Sequence, residues 1–146
     1  MSNLGKQFEE RFKLDWLKSF PGSIVTRLYD TQYGSNICDF ICYNYPYIYF
    51  IECKEHKGAS IPFSAISQIN RLKSVIGKKG VYAGVVLWLS DKDIVLYIPI
   101  TTLLKAQENN EKSIGIRHLD KYNMIKVPSK KLRTFMESDY SILVKE

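Results

Sequence analysis

The sequence predicts an α/β fold, a mixed β-sheet flanked by helices. Three observations carry that prediction. Phe8, Phe12, Trp16 and Leu17 recur at three- and four-residue steps within residues 5–20, which marks one buried helix face. Residues 82–89 form a nearly unbroken apolar run, as in a strand covered on both sides. Between and after these segments, strand-period and helix-period stretches interleave, an order that suits neither an all-α nor an all-β architecture.

The elements follow in turn. Pro21-Gly22 stops the first helix. Residues 23–29 alternate Ile24, Thr26 and Leu28 with Val25, Arg27 and Tyr29, the pattern of a strand. Residues 30–36, DTQYGSN, are polar turn material. A second strand over 37–43 turns at Asn44-Tyr45-Pro46 into a third over 47–54, so these two should form an antiparallel hairpin. After a loop at Gly58-Ala59-Ser60 and Pro62, residues 63–76 read as a helix with Ile66, Ile69, Leu72 and Ile76 on its apolar face, ended by Gly77 and Gly80. The apolar strand 82–89 returns through a turn at 90–93 into a strand over 94–98. A short helix from Pro99 and Thr101 to about Ala106, a charged loop at 107–113, a strand near 124–127 and a last helix around 132–140 complete the order. No repeat, low-complexity tract or linker interrupts residues 1–146, so a single domain is expected.

Composition narrows the classes. Hydrophobic residues make up 45% and charged residues 25%, which suits a packed soluble fold and excludes wholesale disorder. The longest apolar stretches, 47–51 and 82–89, fall far short of the roughly 20 residues of a membrane helix. The N-terminal MSNLGKQFEERFK carries acidic residues early and no apolar segment, unlike a secretory signal. Three cysteines, Cys38, Cys42 and Cys53, argue against a disulfide framework and for a reducing, cytoplasmic setting. Lys and Arg total 21 against 15 Asp and Glu, a net charge of +6, which permits a polyanionic partner.

The informative stretch is residues 37–54, ICDFICYNYPYIYFIECK. Side chains alternate faces along a strand, so Glu52 and Lys54 share a face while Cys53 points away. The hairpin brings Asp39 back beside Glu52, gathering two carboxylates and an ammonium at the end of an apolar strand. Like charges brought together and desolvated are costly. A hard divalent cation would balance them, with the Cys53 carbonyl as a third oxygen. Mg²⁺, or Mn²⁺ as the alternative, would supply Lewis acidity toward a phosphate, and Lys54 would support developing charge or orient a water. The plainer reading is an exposed strand end with ordinary surface charges.

Taken together, GKQFEERF, CDF, IECK and IPFSAISQINRL, in that order and spacing, resemble the RecU-type Holliday junction resolvases of the PD-(D/E)xK nuclease superfamily. The later SIGIRHLDKYNMIKVP and the apolar end at Tyr140, Ile142 and Leu143 extend the likeness over most of the chain. The resemblance implies a restriction-endonuclease-like core, metal-dependent endonuclease activity on four-way DNA junctions, and a homodimer. It implies metal binding by Asp39, with Glu52 and Lys54 as the ends of the E-x-K signature, and it adds Glu9 of the first helix and Gln68 of the helix after the active-site strand. On their own residue types, Glu9 and Gln68 are equally plain helix-surface groups. The chain departs from the family in one respect. RecU-type enzymes carry a long basic stalk between the first two strands, where this chain has only DTQYGSN.

Arg27, Lys57, Arg71, Lys73, Lys130, Lys131 and Arg133 are candidate contacts to DNA phosphates. Cys38 and Cys42 fall on one face of the second strand, where small buried hydrophobes are a better reading than zinc ligands. His56 and His118 stand isolated; His56, two residues past Lys54, could touch a phosphate but reads better as a surface histidine. No phosphate-binding glycine loop or Ser/Cys triad signature is present. Two rivals stay open: a nuclease of the same core acting on duplex or branched repair DNA, and a DNA-binding module that does not cleave.

Overall fold

A computed structural model describes residues 3–30, 32, 34 and 36–144, without the side chain of Val144. The chain opens with α1 (Asn3–Ser19), followed by β1 (Ile24–Arg27), β2 (Phe40–Asn44) and β3 (Tyr47–His56). Next come β4 (Ser60–Pro62), a 3₁₀ turn (Phe63–Ala65), α2 (Ile69–Lys73), β5 (Val81–Leu89) and β6 (Ile94–Pro99). Then follow α3 (Ile100–Glu108), β7 (Ser113–Gly115), a 3₁₀ turn (Ile116–His118) and β8 (Ile125–Val127). The last elements are β9 (Ser129–Lys131), β10 (Met136–Ser138) and a 3₁₀ turn (Tyr140–Val144).

Six strands form one sheet in the order β1-β2-β3-β5-β6-β8. Only β3 and β5 run parallel, so the sheet is mixed. A parallel neighbour requires a crossover, and β4, the 3₁₀ turn and α2 supply it. The hairpin expected from Asn44-Tyr45-Pro46 is present, with Phe40 opposite Ile51 and Asn44 opposite Tyr47. The apolar run expected in mid-sheet is β5, which lies between β3 and β6.

Strand alternation sorts the core onto two faces. Phe8, Phe12 and Trp16 of α1 pack with Tyr49, Ile51 and Cys53 of β3, Val86 and Trp88 of β5, and Tyr140. On the opposite face Ile69 and Leu72 of α2 and Leu103 and Ala106 of α3 pack with Val85, Leu87 and Leu89 of β5 and with Leu96 and Ile98 of β6. No described helix is long and apolar enough to cross a membrane.

Several expected elements are corrected. The helix expected over 63–76 is a 3₁₀ turn plus the single turn of α2, because Ile66 takes φ −114 and ψ 85 and breaks the helix between them. Its Phe-Ser-Ala-Ile-Ser composition is a poor helix former, since serine side chains compete for the backbone. The helix expected around 132–140 is instead the hairpin of β9 and β10. Its turn closes through the Leu132 amide donating to the Phe135 carbonyl, 2.8 Å. The short strands β4 and β7, expected as loop, pair with each other. The second strand starts at Phe40 rather than residue 37, so its alternation does not reach Cys38. Cys38 and Cys42 therefore enter different halves of the core. All three cysteines are buried free thiols, and burial pushes Cys38 up to about 12. His118, isolated in the sequence, is 1% exposed, and its Nδ1 accepts the Gly115 N–H at 3.0 Å. In the expected turn over 30–36, Thr31, Tyr33 and Ser35 lie outside the described residues.

Candidate active site

The hairpin register sets the site. Asp39 stands immediately before β2, and its amide donates to the Ile51 carbonyl at 3.1 Å, which puts its side chain beside Glu52. The Cys53 amide donates to Asp39 Oδ2 at 2.9 Å. An extended residue presents its N–H and C=O to the same edge of its strand, so the Cys53 carbonyl faces Asp39 as well. Glu52 is 3% exposed, and Lys54, two residues on and on the same face, places Nζ 3.4 Å from Glu52 Oε2.

From the other face of the sheet, α1 delivers Glu9, which is 6% exposed. Arg27, in phase with buried Val25 on β1, joins the two faces. Its Nη2 lies 2.6 Å from Glu9 Oε1 and its Nη1 3.5 Å from Asp39 Oδ1. Nη1 also donates to the carbonyls of Leu28 and Asp39. Three carboxyl groups thus face two cations across one sheet end.

The electrostatics follow from burial and crowding. Burial, then the charge of Asp39, pushes the Glu52 carboxyl up to about 8. Asp39 is also raised, chiefly by burial, against the pull of the Cys53 amide and Arg27. Glu9 is raised by burial and by Asp39, with Arg27 opposing. Such groups concentrate at functional sites, because a fold that needs only stability has no reason to assemble them.

These residues line a cleft of about 460 Å³, and Gln68, at the start of α2, forms part of its wall. Of the residues expected from the sequence, Glu9, Asp39, Glu52, Cys53, Lys54, Gln68 and Arg27 all line it. Lys57, Arg71, Lys73, Lys130, Lys131 and Arg133 do not. Arg71 donates to the Asn36 carbonyl at 3.2 Å, and Lys131 pairs with Asp93 at 3.1 Å. Asp30, Glu55 and His56 also border the cleft. Sequence reading placed Arg27 among phosphate contacts and missed it as the shared partner of Glu9 and Asp39. Its one local signal is an arginine at an inward position of a strand end.

The donor set fits a hard divalent cation. Glu52 Oε1 is buried and has no hydrogen-bond partner. Two carboxylates and a backbone carbonyl are oxygen ligands of the kind Mg²⁺ takes while keeping waters and phosphate oxygens for its remaining positions. Among the described residues no group of three or more Cys, His, Asp or Glu forms a ready-made cage, so the solvent and substrate side must complete the shell.

No protein-family model matches the sequence, and neither does any curated protein. Among solved structures, the chain is similar to that of Archaeoglobus fulgidus Hjc, a Holliday junction resolvase from an archaeal hyperthermophile. The TM-score is 0.61 at 22% identity, over 81% of this chain and 93% of that one. The fold is restriction-endonuclease-like. The expected mixed sheet flanked by helices is therefore present, and the cleft lies at the end of the sheet's central hairpin.

Proposed function

We propose that the chain is a single-domain, metal-dependent endodeoxyribonuclease that resolves four-way DNA junctions in recombination by hydrolysing phosphodiester bonds. The observation that carries the reading is the Asp39, Glu52 and Lys54 constellation at one end of a β-hairpin, in a fold shared with a solved junction resolvase. The sequence likeness to RecU-type enzymes supports the same assignment.

Asp39, Glu52 and the Cys53 carbonyl would hold the cation, Mg²⁺ or Mn²⁺. When bound, the cation supplies charge neutralisation at the phosphate and a more acidic water. Lys54 Nζ, 3.4 Å from Glu52, would stabilise charge developing on the phosphate oxygens. Arg27 holds Glu9 and Asp39 in register across the sheet end, and Glu9 and Gln68 can orient a water in the cleft. A four-way junction presents two symmetric scissile phosphates, so we extend the proposal to a homodimer with one site per subunit, acting in the cytoplasm.

The test is a synthetic four-way junction and its matched linear duplex, each with Mg²⁺ and with chelator. Paired incision of the junction, dependent on the cation and lost in Asp39→Asn, is expected. Equal cutting of both DNAs favours a general nuclease of the same core. Binding without cleavage under every cation tried overturns the enzymatic reading. Sedimentation showing a monomer that still makes paired cuts overturns the dimer.

A further inference from the structure

We infer that the groove beside the catalytic cleft seats one nucleotide of the DNA strand, with Tyr29 as the stacking platform for its base. The inference rests on reading the cleft as a nuclease centre. The groove measures about 300 Å³ and shares Glu9 and Arg27 with the cleft. The Arg27–Glu9 pair is therefore a saddle between them, and a strand leaving the cleft on that side runs into the groove.

The two hollows differ in chemistry. The cleft gathers carboxylates, whereas the groove sets beside Glu9 and Glu10 the exposed Tyr29, the buried Phe40, and Lys6 and Lys13 of α1. Lys6 and Lys13 are seven residues apart on the helix, two turns along one face and about 10 Å along its axis. An apolar platform flanked by separated cations matches a nucleotide, a flat aromatic base with a phosphate on either side. A purely apolar ligand would leave the lysines without a role, and a bare anion would leave the aromatic surface without one.

Tyr29 is prepared for this. The residue is 71% exposed, yet it is held in place. The Arg27 guanidinium carbon lies 4.9 Å from the ring centroid, and the Tyr29 carbonyl accepts a hydrogen bond from the Asn36 side chain. A stacking surface fixed before binding loses little freedom when the base arrives.

In an intact duplex both faces of each base are covered by neighbours. The platform can take only a base whose stack is interrupted, as at a branch point. Tyr29 is then a specificity-determining residue for branched DNA, in a chain with only residues 28–39 between its first two strands.

The experiment is fluorescence anisotropy in chelator, with a four-way junction and a linear duplex of the same arm sequences. The proteins are wild type, Tyr29→Ala, Tyr29→Phe and Lys6→Ala/Lys13→Ala. Tyr29→Ala should weaken junction binding about tenfold and leave the linear duplex unchanged, which also reports an intact fold. Tyr29→Phe should bind as wild type, because it keeps the ring. The double lysine variant should weaken junction binding with a reduced salt slope. Tyr29→Ala that binds the junction as wild type does, or loses both DNAs equally, overturns the inference while leaving the nuclease reading intact. Failure of Tyr29→Phe to retain binding overturns it too. Wild-type protein that binds both DNAs alike overturns the junction reading and this inference with it.

Discussion

Glu52→Gln should stabilise the cation-free protein at alkaline pH while abolishing cleavage. In the folded chain Glu52 holds its proton up to about pH 8, where an ordinary Glu releases it near 4.5. Between those values the unfolded chain binds fewer protons than the folded one, so stability falls as pH rises. Each pH decade over which the states differ by a full proton is worth about 1.4 kcal/mol. The interval from 4.5 to about 8 thus gives a ceiling of roughly 5 kcal/mol. Glutamine removes that term, in which the opposing pull of Lys54 at 3.4 Å is already contained. The gain at pH 8 is therefore at most about 4 kcal/mol, or roughly 8–16 °C in Tm for a chain of this size. Thermal melts in chelator across pH, for wild type and variant, check it. Millimolar Mg²⁺ should raise the wild-type Tm more at pH 8 than at about pH 6, since a cation displaces the proton, and should leave the variant unmoved. A variant no more stable than wild type at pH 8, or one with the same pH slope, would refute the account of Glu52 as a carboxyl held protonated by burial.

Three further outcomes are expected. Lys54→Ala should lower the single-turnover cleavage rate with little change in junction Kd; lost binding with an unchanged rate at saturation would make it a phosphate clamp instead. Arg27→Met leaves Glu9 and Asp39 without their shared cation and should destabilise the fold by about 3 kcal/mol in urea titration, a loss that Glu9→Gln in the same chain should partly restore. Gly115→Ala should destabilise by at least about 3 kcal/mol, because its Cβ would sit 2.0 Å from the Ala59 carbonyl oxygen; a near-neutral melt would mean that the β4–β7 pairing moves apart easily.

The parts of the fold legible in the sequence are those whose periodicity is local. Phe8, Phe12 and Trp16 mark α1 by spacing alone, and the Asn44-Tyr45-Pro46 turn fixes the register that returns Asp39 to Glu52. The Glu9–Arg27–Asp39 bridge was not legible as such, because it joins α1, β1 and the start of β2, and no local pattern records a contact between a helix on one face and a strand end. The seat of His118 is hidden for a similar reason: a lone histidine after a charged loop gives no sign that the Gly115 amide and Glu111 enclose it. Residues 63–76 carry helix-period apolar positions, but Ile66 is drawn into the core and forfeits its helical backbone to get there. Residues 132–140 lacked a period of either kind, and the tertiary contacts of Ser138 and Tyr140 decided their conformation.

Those contacts also order the events of biosynthesis. The Ser138 amide donates to Asp15 at 2.9 Å, the Tyr140 amide to Ser19 at 2.9 Å, and the Tyr140 ring meets Phe12 at 5.1 Å. Helix α1 is thus clasped by residues more than a hundred positions further along the chain, and contacts so distant in sequence close late. A nascent chain can pair its hairpin and gather Asp39 and Glu52 early, whereas the clasp that fastens α1, and with it Glu9, waits until synthesis has passed residue 140. The cleft's third carboxyl thus depends on a segment remote from it in sequence, which ties the completion of the site to the arrival of residues 138–140.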